Sequence, residues 1–161
     1  MTESPPQLRW TLKRSFVEYV ARMPDGLMST TDGADAEGVT FTFEHEETLG
    51  DSQSGSIRFR GDVRFAGHGG LLFVCVAHPT VDHMGDRATV SIQLPGSSQR
   101  SAERVDIGSG RWENVGGERF RVSALKLTVD GSDLFAGVYP PGDELDDIAL
   151  VIPGMARSSG G

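Results

Sequence analysis

Between Leu8 and Met23, the apolar residues Leu12, Phe16, Tyr19, Val20 and Met23 recur at spacings of three and four, while Lys13, Arg14, Glu18 and Arg22 fill other positions. This is the period of an α-helix with one apolar face, and it predicts a single amphipathic helix over 8–23. Pro24-Asp25-Gly26 ends it, because the residue before proline resists the helical region and glycine accepts left-handed geometry. A loop rich in Ser, Thr, Asp and Gly follows.

From residue 39 the period becomes two. Val39, Phe41 and Phe43 alternate with Thr40, Thr42 and Glu44, and Ile57 and Phe59 alternate with Arg58 and Arg60. The spacing predicts strands near 39–45, 56–66, 70–78, 87–94, 101–107, 118–129 and 147–152. Val129 to Gly137 interrupts the alternation, with Ser132 placed to cap a single helical turn that Gly137 ends. The expected fold is mainly β, an antiparallel sandwich or barrel-like domain with one N-terminal amphipathic helix and one short C-terminal helix. It spans 8–152 between disordered ends at 1–7 and 153–161.

Composition narrows the function classes. The 161 residues suit one domain with its own core, and the 21 glycines and 8 prolines lie scattered between apolar runs as turn punctuation. A net charge of -8, with no basic cluster beyond Lys13-Arg14, leaves no footprint for nucleic acid or for an anionic membrane surface. No window approaches a membrane-spanning length of about 18 apolar residues. The first residues lack the basic and apolar regions of an export signal, so the sequence as it stands reads as cytoplasmic, and as secreted or cell-surface if a leader has been removed. Cys75 is the single cysteine and sits in an apolar run as a small hydrophobe.

Two residues stand out chemically. Tyr19 shares the apolar helix stripe yet carries a hydroxyl, which is either a buried phenol tied to a carbonyl or, deprotonated, a hard anionic oxygen suited to Fe(III). His68 lies in Gly67-His68-Gly69-Gly70, a sharp turn that either faces water or brings an imidazole close enough to hydrogen-bond and stabilise a ligand oxygen. His78, Asp82 and His83, and His45 among Glu44, Glu46 and Glu47, lack the spacing of a zinc site.

The run from Trp10 to Val20, then Phe41-Thr42-Phe43, then Phe59 to Gly70, and finally Phe135-Ala136-Gly137-Val138-Tyr139 with Gly142-Asp143-Glu144-Leu145-Asp146, together resemble the HtaA haem-binding domain family. The resemblance implies a β-rich domain whose helix carries an axial haem ligand, acting in haem capture, buffering or transfer in Gram-positive bacteria. It assigns Tyr19 as the ligand to ferric haem of the protoporphyrin IX type and His68 as its hydrogen-bond partner. Phe16, Met23 and Phe135 then line the porphyrin site, with Leu27 and Met28 beside them. The implied partners are haem and a haem donor or acceptor protein, to a monomer or homodimer. An alternative from another class keeps the fold and makes Tyr19 and His68 an acid-base pair of a small-molecule enzyme or binding protein without haem. A third is a domain with no ligand, in which the tyrosine contributes only a hydrogen bond.

Overall fold

The computed structural model describes residues 5–51, 53–94, 103–135 and 137–154. Its strands are Gln7–Trp10 (β1), Leu27–Thr31 (β2), Ala34–Glu37 (β3), Thr40–Gly50 (β4), Ser54–Arg60 (β5), Asp62–Gly67 (β6), Leu72–Met84 (β7), Arg87–Gln93 (β8), Arg104–Gly116 (β9), Arg119–Leu127 (β10) and Ile148–Val151 (β11). The helices are Arg14–Arg22 (α1) and Val129–Leu134 (α2). Every ladder is antiparallel, and the order β7-β5-β4-β1-β11-β10-β9-β8 closes through β7–β8 pairing into an eight-stranded barrel. The mainly β, barrel-like class expected from period-two patterning is the class observed, and closure gives each of the eight barrel strands a neighbour on both sides.

The first three residues of the expected helix, Leu8 to Trp10, belong to a strand, and α1 begins only at Arg14. Leu8 and Trp10 are buried on either side of exposed Arg9, the alternation of a strand, and β1 fills the gap between β4 and β11. Leu8 meets Phe43 and Leu150, and Trp10 meets Phe41 and Ile148, in apolar rows across three strands. Trp10 also donates its indole N–H to the Asp146 carbonyl at 2.9 Å. Gln7, assigned from the sequence to a disordered end, is the first residue of this strand; the expected disorder at 1–4 and 155–161 falls outside the described residues.

The other differences are extensions and one omission. The Ser/Thr-rich segment is two short strands, β2 and β3, paired to β6 and β4 respectively. β7 runs on through Pro79 to Met84, and β9 continues to Gly116, because long strands bend around a barrel at register shifts such as the one between Ala77 and Thr80. The short C-terminal helix begins earlier than expected: Thr128, not Ser132, caps it by accepting from Gly131 N, while Ser132 inside it donates to the Tyr139 carbonyl.

A fork positions the functional region. The segment read as one strand over 56–66 breaks at Gly61, whose φ of 142° suits glycine and where a Cβ would stand 2.6 Å from that of Ala34. Beyond the break, β6 leaves the barrel wall with β2 and the first half of β7, forming a three-stranded wing. Helix α1 packs on this wing. Phe16 stands edge-on to Phe65 at 5.1 Å and to Phe135 at 5.0 Å, joining the helix, β6 and the end of α2 in one apolar core. Each such buried ring contributes roughly 1.5–3 kcal/mol of transfer free energy.

Candidate functional site

The wing and α1 meet at the turn His68–Gly70 that joins β6 to β7. Tyr19 projects from α1 with its phenol oxygen 2.5 Å from His68 Nε2. The two residues that sequence reading singled out, 49 positions apart, are therefore a hydrogen-bonded pair. Tyr19 is not the core phenol that its place in the stripe suggested: the residue is 47% exposed, and Phe16, Val17 and Val20 supply the buried face instead. An exposed phenol whose partner is a side chain, not a backbone carbonyl, keeps its oxygen accessible to a ligand.

Local structure explains why the pair forms. Met23 ends the helix by donating its N–H to Val20 O, and Gly26 N donates to Met23 O. At Gly26 a Cβ would fall 2.0 Å from Val20 O, so only glycine permits this tight reversal. Met23 then lies over the end of β6, with its sulfur 2.2 Å from where a Cβ of Gly67 would be. Asp25, at the tip of the reversal, accepts from His68 N at 3.2 Å and from Gly69 N at 2.8 Å. The Gly69 hydrogen bond, with that of His68, holds the Asp25 carboxyl below the usual carboxylate range.

Phe16, Met23 and Phe135 are all buried and make a floor beneath the region, not an open wall, because the phenyl rings close on each other edge-to-face. Leu27 and Met28 do not act together: in β2 they point to opposite faces, Met28 beside Phe65 on the helix side and Leu27 beside Ala66 on the other. Leu71, directly after the turn, is 90% exposed, an apolar residue that sequence reading had not associated with the turn. Its signal was available, an aliphatic residue straight after a glycine pair.

The remaining histidines stay apart. His45 Nε2 pairs with Thr48 Oγ1 at 2.7 Å, His78 Nδ1 accepts from Gly61 N, and His83 lies in the barrel interior stacked on Trp112 at 4.1 Å. Among the described residues no group of three or more His, Cys, Asp and Glu is placed to hold a metal ion. Cys75 is buried, and burial pushes its thiol up to about 11. A polar cleft of about 720 Å³ on the barrel includes Arg58, His78, Thr80, Ser91 and Arg104 but neither Tyr19 nor His68. Arg104 there donates to Ser91 Oγ and to the carbonyls of His78 and Ser91, tying down strand irregularities.

The family model Htaa, of HtaA, matches residues 6–151. Among solved structures, the C-terminal domain of HtaA from Corynebacterium glutamicum is similar with a TM-score of 0.75 at 25% identity, over 89% of this chain and 92% of that one. The N-terminal domain of the same protein gives 0.72 at 21% identity, over 94% and 99%. Heme binding protein HtaB from Corynebacterium glutamicum gives 0.65 at 19%, over 89% and 90%, and these last two likenesses are of fold alone. No curated protein matches.

Proposed function

Because the chain belongs to the HtaA family, we propose that it binds ferric haem through the deprotonated oxygen of Tyr19, with His68 as the hydrogen-bond partner of that oxygen. The observation that carries this reading is the Tyr19–His68 pair itself, exposed at the junction of helix and wing. The donor set fits the group. A phenolate is a hard anionic oxygen matched to Fe(III), and tyrosinate is an established axial ligand of haem iron. When bound, ferric haem supplies a Lewis-acidic iron that takes the phenolate and an extended apolar ring that seeks cover from water.

The protein's own groups have separable tasks. With Tyr19 protonated, its O–H donates to His68 Nε2; with Tyr19 deprotonated, Nε2–H donates to the phenolate and stabilises the anion. Such an exchange lets the ligand oxygen be charged or capped by the same imidazole without rearranging the turn. Met28 on β2 and Leu71 directly after the turn are exposed apolar residues, and Phe16, Met23 and Phe135 form the buried floor. The role that follows is haem capture, buffering or transfer, with a haem donor or acceptor protein as partner.

Titration of the protein with hemin, followed by absorption, tests this. Saturable one-to-one binding with a tyrosinate-type Soret spectrum is expected, lost in Tyr19→Phe and weakened in His68→Ala. Equal hemin binding by wild type and Tyr19→Phe would reject Tyr19 as ligand.

A further inference from the structure

The geometry points to Asp25 as the positioning residue of the Tyr19–His68 pair: its carboxylate fixes the left-handed turn that aims His68 Nε2 at the phenol oxygen. The inference deepens the haem reading and rests on it for its consequence in binding, but not for the geometry.

His68, Gly69 and Gly70 have φ of 51°, 62° and 93°, three successive residues in the left-handed region. Two of them are glycines, for which that region is open; His68 is not, and its side chain crowds its own backbone there. Something must hold it. Successive backbone N–H groups in such a turn point toward a common spot and form a small concavity for an anion. Asp25 occupies that point, taking the N–H groups of both His68 and Gly69.

The carboxylate also spans two elements. It sits three residues beyond the last residue of α1, on the reversal that Gly26 permits, so one group connects the end of the tyrosine's helix to the histidine's turn. Without it, two N–H groups lose their acceptor and His68 is free to relax toward ordinary φ, which would swing Nε2 off the Tyr19 oxygen. The Met23 contact with Gly67 keeps helix and wing packed, so the expected loss is of aim and not of fold.

The test compares Asp25→Ala and Asp25→Asn with wild type by two readouts, with circular dichroism to establish folding. Imidazole 15N NMR on the hemin-free protein reports the His68 Nε2 hydrogen bond, with Tyr19→Phe marking its absence. Transfer of hemin to an excess of apomyoglobin reports dissociation. In Asp25→Ala the Nε2 signal is expected to move to its Tyr19→Phe position and hemin dissociation to rise roughly 10–100-fold, the usual cost of losing a group that orients a ligand. Asp25→Asn, keeping one acceptor oxygen, should restore part of both. A wild-type Nε2 signal and a wild-type dissociation rate in folded Asp25→Ala would overturn the inference; should that variant not fold, the same two results in Asp25→Asn would do so. Absence of hemin binding by wild type would reject the haem reading alone, because the imidazole signal is read without hemin.

Discussion

Tyr19 lies on α1 about 110° from the centre of the arc set by Phe16, Val17 and Val20, at 100° per residue. A spacing of three from Phe16 therefore places it at the flank of the apolar stripe, where a side chain leaves the core. That is why the sequence identified the residue and misplaced its burial. The consequence is separable: Tyr19→Phe should change unfolding free energy in denaturant by less than about 1 kcal/mol, since it removes one exposed hydrogen bond, while removing the oxygen needed for the proposed ligation. A loss of several kcal/mol would mean that the hydroxyl serves the fold. His68 was legible because glycines on both sides of a histidine signal a turn that needs left-handed backbone. Asp25 was not legible as a partner of that turn. In sequence it is one of three residues that stop a helix, and nothing local says that its carboxylate finds amides 43 and 44 positions away.

At the scale of elements, long alternating runs such as Phe41 to Glu44 and Ile57 to Arg60 were readable because one face of each strand is buried. β2 was not, since all its residues but Thr30 are exposed and no period survives. β1 was absorbed into the helix because four residues are too few to compete with a longer period of 3.6. The strands of the barrel carry a second, unexpected feature in the stack of His83 on Trp112 and Trp112 on Phe120, which ties β7, β9 and β10 together. His83 is buried, and among the described residues neither ring nitrogen has a hydrogen-bond partner. Burial holds it below the ordinary histidine range, with Asp51 and Asp82 opposing in part. The unfolded chain, with a histidine near pH 6.5, then takes up the proton before the folded one does. Stability from this residue is complete above that pH and is lost as pH falls through it toward the lower folded value. Calorimetry between pH 7.5 and 5 should show the melting temperature falling with pH, and falling less steeply in His83→Phe; His45, lowered by burial in the same direction, accounts for part of the remaining slope. Identical slopes in the two proteins would refute the assignment to His83.

For the whole molecule, alternation in successive strands made an antiparallel β domain legible, while barrel closure and the fork were not. Closure depends on β7 pairing with β5, β6 and β8, and on Gly61 releasing β6 from the wall, and such long-range choices leave no period in the sequence. The fork matters most for the proposed function, because the wing it creates brings His68 to Tyr19 while the barrel interior stays filled by its own side chains. The proposed haem ligation thus falls at the seam between wing and helix, and the iron–oxygen bond is the quantity to observe. Resonance Raman spectroscopy of the ferric haem complex, excited in the phenolate-to-iron charge-transfer band, reads that bond directly. The expected result is a set of phenolate modes that shift with ring-deuterated tyrosine, persist in Tyr139→Phe and vanish in Tyr19→Phe. A ferric complex without phenolate modes, or one that keeps them in Tyr19→Phe, would contradict ligation by Tyr19.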